Sequence, residues 1–451
     1  MCEVGRKKKY GETIVIWNKT EVKIIKEIDT AGKWWCSSAV LFSVKNGKNT
    51  ICETVGPESD DYDYCSLLQL NGKPLVQGQI PTCPTCKGLL ATGYGIENID
   101  CPELVAAREC MNSDFVSILN SAEKIKPLLG LLADGYYALA DAICFPSDGD
   151  GGFFYDVPND LKRYDAACSE YYCKWNYKSV EHFPLFLYPT QSASLINDER
   201  VEYYAQILKS EKELPRALAI NMYGFMNALL DGHHKACAAA SLGKSLRCLT
   251  IIPCDSCSFD SNTIIRGFDI RQVNPGLEKI GFGGLKTTAP KGSRYLDTFK
   301  NQSYTSDISL QKYELTDRKL QYGTVKYPTI KDVAALSNIE NIDGLLPDLD
   351  RDVVLRLVEN DDPEADIYLE AILNWLSAAD PEAAYDLAVS IVKRDPDLMG
   401  HERLRMAFLY LLDFRDDKTE QLFADCYIAF DGKDHDDILD IINSYWNGYD
   451  I

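Results

Sequence analysis

The chain has 451 residues, of which 46% are hydrophobic and 25% are charged. This length exceeds what one ordinary hydrophobic core holds, and the composition is typical of a folded globular protein, which excludes wholesale disorder. No run approaches the roughly 18 consecutive apolar residues of a membrane-spanning helix, so we expect no membrane partner. The N-terminal nine residues are basic, but no apolar stretch follows them. We therefore expect no secretory signal and a cytoplasmic protein.

The negative charge is concentrated in one part of the sequence. The formal net charge is −21, and residues 331–451 carry 29 acidic against 10 basic residues, a balance of −19. The first 330 residues then carry only −2, which argues against nucleic acid as a partner of the whole chain. The acidic block is either a solvated outer face or a surface suited to a basic protein partner or to a basic patch on the same molecule.

The first half of the chain is predicted to change from strands to helices. Short runs rich in β-branched residues at 12–17, 21–28, 38–44 and 49–55 predict a β-rich N-terminal region over residues 1–100. Helical periodicity from Pro102 to about Ala142, with a further helix at 160–177, predicts a helical connecting region over residues 101–180. Between them, the Gly- and Asp-rich stretch at 145–158 is expected to be a loop. Its Asp148 and Asp150 resemble a calcium loop only superficially, because Asn159 stands where the twelfth-position glutamate is required.

The second half is predicted to contain an α/β domain followed by an all-helical one. In residues 181–327, strands at 184–189, 217–223, 225–230 and 247–253 alternate with helices at 198–210 and 233–242, and a strand-and-loop extension follows. The acidic residues 328–451 are predicted to be all-helical, with amphipathic segments at 352–360, 366–379, 382–395, 402–414 and 436–446. Helices are expected to begin at Pro363 and Pro381. Both a small helical solenoid and a compact bundle fit this spacing. The predicted fold class is therefore α+β and multidomain.

The turn at Asp231–Lys235 is the sharpest local signal. An apolar strand runs into Asp231 and Gly232, and a helix follows that begins with His233, His234 and Lys235. The first-turn N–H groups and the helix dipole attract an anion, and a glycine there lets a ligand approach the backbone closely. Lysine adds positive charge, and histidine supplies a general base near neutral pH. The pattern predicts a phosphate site, and the alternative is an ordinary helix start with Asp231 as a cap.

Residues 181–253 resemble the ParB/sulfiredoxin-like superfamily, in which a strand, a helix, a strand pair, an Ala-rich helix and a strand follow one another. The Asp-Gly-His-His-Lys turn is similar to the Asp-Gly-His-His-Arg turn of the free-amino-acid (serine) kinase branch. The resemblance implies binding of ATP or ADP with magnesium, a small-molecule substrate and phosphoryl transfer or nucleotide hydrolysis. It implies a nucleotide site at Gly232, His233, His234 and Lys235, and catalytic roles for Asp231, His233 and His234.

This turn departs from the related branches in informative ways. Partition proteins carry Gly-Glu-Arg-Arg, and sulfiredoxins carry Gly-Cys-His-Arg, so His233 occupies the reactive cysteine position and sulfinic-acid reduction is not expected. Lys235 keeps the positive charge but lacks the bidentate fork with which arginine grips phosphate. For the catalytic carboxylate of the kinases, Glu181, Asp198 and Glu199 are the candidates, and their spacing selects none of them.

Two classes of function follow from these observations. The first is a nucleotide-dependent phosphotransferase or hydrolase that acts through Asp231–Lys235. The second is a non-catalytic regulatory or partner-binding protein that uses its acidic helices. A DNA-directed, partition-like or nuclease function is disfavoured by the charge distribution.

Sixteen cysteines require an explanation in a reducing compartment, where most are expected to be buried thiols. Two Cys-x-x-Cys pairs, Cys83 with Cys86 and Cys254 with Cys257, could together form a structural zinc site. Cys83 and Cys86 could instead join Cys101 and Cys110. A redox pair is the third alternative, although neither pair begins a thioredoxin-like unit. The glycine-rich segment at 281–286 lacks the spacing of a phosphate-binding loop and is expected to be a surface loop.

Overall fold

The computed structural model describes residues 19–31, 35–56, 62–81, 88–93, 95–157, 161–164, 183–210, 215–256, 263–265, 268, 327–330, 333, 351–359, 363–379, 381–394, 401–430 and 435–447. It is a mixed α/β structure with two sheets and a set of C-terminal helices. The strands are β1 (Glu21–Ile28), β2 (Cys36–Lys45), β3 (Ile51–Gly56), β4 (Tyr62–Leu70), β5 (Lys73–Pro81), β6 (Gly88–Thr92), β7 (Gly135–Cys144), β8 (Lys162–Tyr164), β9 (Phe186–Tyr188), β10 (Ala217–Tyr223), β11 (Met226–Asp231), β12 (Leu246–Ser256) and β13 (Thr263–Ile265). The helices are α1 (Pro102–Met111), α2 (Ile118–Lys124), α3 (Lys126–Leu129), α4 (Asp198–Lys209), α5 (His233–Ser241), α6 (Arg351–Glu359), α7 (Pro363–Ala379), α8 (Pro381–Val392), α9 (His401–Leu411), α10 (Asp417–Phe430) and α11 (Asp436–Asn447).

The larger sheet has the strand order β1-β2-β7-β12-β10-β11-β9, and β13 pairs with β12. The pairs β10–β12 and β11–β9 are parallel, whereas the other pairs are antiparallel. Phe145, directly after β7, forms a parallel bridge with Phe186 of β9. The N–H of Phe145 donates to Leu185 O at 2.7 Å, and the N–H of Leu187 donates to Phe145 O at 3.0 Å. Strands β7, β12, β10, β11 and β9 therefore form a closed ring.

The smaller sheet is antiparallel throughout, with the order β3-β4-β5-β6-β8. The runs predicted at 21–28, 38–44 and 49–55 are confirmed as β1, β2 and β3, and the run at 12–17 lies outside the described residues. Residues 162–164 form a strand that pairs with β6. The helix predicted from 160 is therefore wrong at this point, and most of the remaining predicted segment lies outside the described residues.

Strand β7 corrects the predicted helical connecting region. The helices of this region end at Leu129, and Gly135–Cys144 forms a strand between β2 and β12. Residues 137–142 of this strand are fully buried on both faces. A strand buried on both faces lacks alternation of apolar and polar residues, so periodicity alone does not distinguish it from a buried helix.

The pairing of β7 also changes the domain organisation. It joins β2 of the predicted N-terminal region to β12 of the predicted α/β domain, so one sheet crosses the predicted boundaries at residues 100 and 180. The start of the helical region differs as well. The hydroxyl of Tyr327 donates to Lys244 O, and the N–H of Ile330 donates to Gly149 O, so residues 327–330 lie against the sheet region.

The C-terminal helices pack around apolar faces. Helices α6–α9 pack in sequence, α7 also contacts α9, and α11 contacts both α9 and α10. Helices α7 and α8 begin at Pro363 and Pro381, as predicted. Helix α10 was missed by the sequence prediction although Leu422, Phe423, Cys426 and Phe430 form its buried face. Whether the arrangement is solenoid or bundle stays a prediction. Among the described helices, none has the length and apolar character needed to cross a membrane.

A buried ion pair fixes the middle of the larger sheet. Nε and Nη2 of Arg216, directly before β10, donate to the two carboxylate oxygens of Asp141 in β7 at 2.8 and 3.0 Å. The side chains are 6% and 1% exposed. Ser37 Oγ donates to Asp141 Oδ2 at 2.7 Å, and the Arg216 guanidinium lies 4.2 Å from the centre of the Phe115 ring. The desolvated charges are therefore matched by a bidentate geometry and further contacts, as a stable buried pair requires.

The variant Asp141→Asn should lower the free energy of unfolding by about 3–5 kcal/mol, because Arg216 would keep its charge in the interior without a carboxylate. Urea denaturation followed by tryptophan fluorescence measures this change. Glu123→Gln is the matched control, since the exposed pair of Glu123 with Lys126 at 2.7 Å should contribute about 1 kcal/mol or less. Equal small losses in the two variants would contradict the central role of Asp141.

Candidate functional site

The turn predicted as a phosphate site connects β11 to α5 through Gly232. This residue has φ 104° and ψ 19°, a left-handed conformation that favours glycine. A Cβ atom on residue 232 would lie 2.6 Å from Cβ of Ala217 at the start of β10. The glycine therefore allows the backbone of the turn to pack against the neighbouring strand, a contact within the protein rather than an opening for a ligand.

His233 is 2% exposed and faces the loop that follows β9. Its Nε2 accepts hydrogen bonds from the backbone N–H groups of Thr190 and Gln191 at 3.1 and 3.2 Å. An accepting Nε2 carries no proton, so the ring is in the neutral tautomer protonated at Nδ1. Burial, followed by the nearby Arg108 and His234, holds the pKa of His233 well below its ordinary value. His233 is thus a buried acceptor for two backbone amides.

His234 makes an equivalent contact with the end of the same loop. Its Nε2 accepts the backbone N–H of Asn197 at 2.9 Å. Asn197 is the N-cap residue of α4, and its Oδ1 accepts the N–H of Arg200 at 3.0 Å. Burial, with a smaller contribution from Arg200, lowers the pKa of His234 to about 4. Both histidines are therefore neutral near pH 7, and they hold residues 190–197 against α5.

The loop bound by the histidines is fixed on its other side as well. Thr190 is fully buried, and its hydroxyl donates to Leu229 O in β11 at 2.5 Å. The carbonyl of Thr190 accepts the N–H groups of Gly95 and Ile96 at 3.1 and 3.0 Å. This loop consequently joins three parts of the chain that are distant in sequence.

Lys235 is 1% exposed and points into the protein. Its Nζ donates to Met111 O at the end of α1 at 2.9 Å and to Arg216 O at 3.0 Å. The ammonium also lies 5.8 Å from the centre of the Tyr204 ring of α4. Burial lowers the pKa of this lysine. The sequence predicted Lys235 to bind phosphate, and in the structure its ammonium binds two backbone carbonyls instead.

Asp231 is partly buried, with its side chain 21% exposed. Its Oδ1 lies 3.7 Å from Nε of Arg108, whose Nη2 donates to Leu230 O at 3.4 Å. The alternative role as a helix cap is wrong, because Gly232 is the N-cap residue of α5 and makes no side-chain cap bond. Asp231 is therefore paired with an arginine from α1.

The five residues Asp231–Lys235 are adjacent in sequence and lie together in one turn. Their side chains nevertheless contact different partners within the protein. The side-chain polar atoms of His233 and Lys235 are buried and hydrogen-bonded to the backbone, so a phosphate group at this turn would compete with those hydrogen bonds. Those backbone groups belong to Met111, Thr190, Gln191 and Arg216, which sequence reasoning did not find. A backbone carbonyl or amide leaves no residue-type signal in a sequence, so no motif could have identified them.

The remaining predicted site residues divide into described and undescribed ones. Cys83, Cys86, Cys257, Glu181 and the 281–286 segment lie outside the described residues, as does the side chain of Cys254 in β12. Cys101 is buried and its Sγ donates to Glu103 Oε2 at 3.7 Å, and Cys110 is half-buried. Asp198 and Glu199 lie in the first turn of α4. Within the described part of the chain, no cluster of His, Cys, Asp and Glu side chains could hold a metal ion.

The Asp148 loop agrees with the predicted turn. Asp148 Oδ1 accepts the N–H groups of Asp150 and Gly152, both at 2.8 Å, and its Oδ2 accepts the Tyr164 hydroxyl at 2.5 Å. Burial raises the pKa of Asp148, and these hydrogen bonds oppose the rise. The carboxylate oxygens thus close the loop on itself.

Comparison of the chain with protein-family models, with curated proteins and with solved structures finds no match. The assignment of a function therefore depends on the contacts of the residues themselves.

Gly232→Ala should destabilise the protein by about 2–5 kcal/mol, the sum of about 1–2 for the left-handed backbone and about 1–3 for overlap with Ala217. The double variant Gly232→Ala/Ala217→Gly should recover part of this loss by removing the overlap. Gly72→Ala is the control, because Gly72 has φ 72° but nothing within 4 Å of the added Cβ. Thermal and urea denaturation measure all three. A loss no larger than that of Gly72→Ala would contradict the packing role.

The neutral histidines should make the protein less stable as the pH falls from 7 to 5. Their folded pKa values lie below the unfolded value of about 6.5, so below that pH the unfolded chain binds protons that the folded chain does not. The stabilisation is complete above about pH 6.5 and decreases towards pH 4, by at most about 1.4 kcal/mol per pH unit for each histidine. Urea denaturation at several pH values measures this slope. His233→Gln and His234→Gln should each reduce it.

Proposed function

We propose that this protein is a regulatory, partner-binding protein that uses its acidic helical region to bind a basic segment of another protein. The main support for the proposal is that the side chains of the basic residues in Asp231–Lys235 bind groups inside the protein. His233, His234 and Lys235 each hold backbone groups of the protein itself. A phosphotransferase working at this turn would need the same atoms for a nucleotide.

The electrostatics of the helical region support a basic partner. Three of its arginines form ion pairs within the region: Arg403 is buried and pairs with Asp366, Arg394 pairs with Glu359 at 2.7 Å, and Arg405 pairs with Glu402 at 3.2 Å. The surplus of 19 acidic residues over residues 331–451 remains after all ten basic residues of the region are counted. A large field of one sign attracts an oppositely charged partner and accelerates its association.

We further propose that residues 181–253 have a ParB/sulfiredoxin-like core. The order β9, α4, β10, β11, α5 and β12 agrees with the element order that the resemblance implies. In this interpretation the core serves as a scaffold, and its Asp-Gly-His-His-Lys turn joins α1, the loop after β9 and the start of β10. The nucleotide-dependent phosphotransferase implied by the resemblance is the competing function that the experiment must exclude.

Two measurements on the full-length protein separate these functions. Fluorescence anisotropy should detect micromolar binding of a fluorescein-labelled peptide in which leucines recur every third or fourth residue between lysines. A peptide with glutamates in place of the lysines should not bind. Affinity for the basic peptide should fall as NaCl is raised from about 50 to about 500 mM, because salt screens exposed charges.

The second measurement is thermal denaturation with millimolar ATP or ADP, with and without magnesium. We expect no shift of Tm, since a ligand that binds only the folded state would raise it. A nucleotide-dependent rise in Tm together with absent peptide binding would contradict the proposal and favour the phosphotransferase.

A further inference from the structure

The last two helices expose apolar side chains that an isolated helical pair would normally bury. Ile428 and Tyr427 of α10 are 76% and 38% exposed, and Trp446 of α11 is 43% exposed. The rings of Tyr427 and Trp446 meet edge to face, with centroids 6.3 Å apart. Ile428 follows Tyr427 on α10, and we call these three exposed residues the Tyr427–Trp446 patch. The patch groups exposed apolar side chains from two neighbouring helices. Such a group indicates an interaction site, whereas single exposed apolar residues scattered over a surface do not.

The patch is held rigid by the residues beneath it. Tyr445 lies edge to face with Trp446 at 5.8 Å and packs on Phe423 at 4.6 Å. The Arg415 guanidinium lies 4.4 Å from the centre of the Tyr445 ring, and its Nη1 donates to the Tyr445 carbonyl. A pre-positioned aromatic anchor loses little conformational freedom on binding, which is why Trp and Tyr dominate binding energy at protein interfaces.

The charges around the patch select the partner. Helices α10 and α11 carry six acidic residues and one lysine, and the acidic residues are exposed: Asp417, Glu420, Asp425, Asp436, Asp437 and Asp440. On α10, Asp425 precedes Ile428 by three residues and Glu420 precedes Tyr427 by seven, so each acid shares a helix face with an apolar residue of the patch. Apolar anchors beside carboxylates fit a segment that alternates apolar and cationic side chains.

We infer that the Tyr427–Trp446 patch is the docking surface for a basic amphipathic peptide segment of a partner protein. The inference rests on the proposed function and specifies its site and its ligand class. The partner inserts an apolar side chain against Ile428, Tyr427 and Trp446, and its lysines or arginines contact Asp425 and Glu420. A second copy of this chain is a poorer occupant, because two identical acidic surfaces would repel one another.

The full-length protein tests this with the lysine–leucine peptide as the probe. Ile428→Ser should weaken binding about tenfold, because the apolar contact is lost while the exposed side chain contributes little to folding. Val116→Ser is the matched control, since Val116 is 72% exposed on the sheet region and should leave the affinity unchanged. Asp425→Asn should weaken binding about two- to fivefold, whereas Glu109→Gln, an exposed acid of α1, should not.

The outcomes distinguish the inference from the proposed function. Wild-type binding that is unaffected by Ile428→Ser and Trp446→Ala would overturn the patch but leave the proposed function standing. A peptide with serine in place of leucine that binds equally tightly would overturn the apolar anchor. Absence of binding to any lysine-rich peptide would overturn both. A concentration-dependent dimer in sedimentation, lost in Ile428→Ser, would assign the patch to self-association instead.

Discussion

The organisation of the sheet region depends on a buried hydrogen-bond network that links Asp141, Arg216 and Lys235. Asp141 lies on β7 between β2 and β12, Arg216 precedes β10, and Lys235 lies in the first turn of α5. The side chain of Arg216 binds the carboxylate of Asp141, and the carbonyl of Arg216 accepts a hydrogen bond from the ammonium of Lys235. One residue therefore connects Asp141 with Lys235. Buried charges tolerate few alternative arrangements, because any other placement leaves a charge without a partner. This requirement fixes the strand, the helix and the turn relative to one another.

The same requirement explains why the turn at Asp231–Lys235 has residues typical of an anion site and yet binds its own backbone. A lysine at a helix start has a side chain long enough to reach either outward to a ligand or inward to carbonyls. Here α1 ends close enough for Met111 O to accept the ammonium, and Tyr204 covers it. The histidines follow, since a neutral imidazole can accept the amides of Thr190 and Asn197 once the loop after β9 is drawn against α5. Residue types specified the hydrogen-bonding capacity, and packing specified its direction.

Local signals therefore predicted local structure well. The strands on either side of Gly224 and the helices that begin at Pro363 and Pro381 are encoded by a few neighbouring residues, and they occur where expected. Strand β7 was mistaken for helix because its burial on both faces removes the alternation that identifies strands. Its place between β2 and β12 depends on partners about 100 residues away, which no window of sequence contains. The orientation of the side chains at Asp231–Lys235 depends on distant contacts of the same kind, so their proximity in sequence does not determine it.

The sheet region and the helical region differ in where their charged side chains lie, and this difference bears on the location of the functional surface. In the sheet region, Arg216 and Lys235 are buried and bound to a carboxylate and to backbone carbonyls, so these two cations stabilise the fold. In the helical region, arginines are paired internally while acidic side chains remain on the surface beside Ile428 and Trp446. Exposed like charges and exposed apolar surface both raise the free energy of an isolated chain, the first by repulsion and the second by hydration. A partner that is basic and apolar relieves both costs at one surface, whereas a nucleotide at Gly232 would first have to break the contacts that hold the sheet region together.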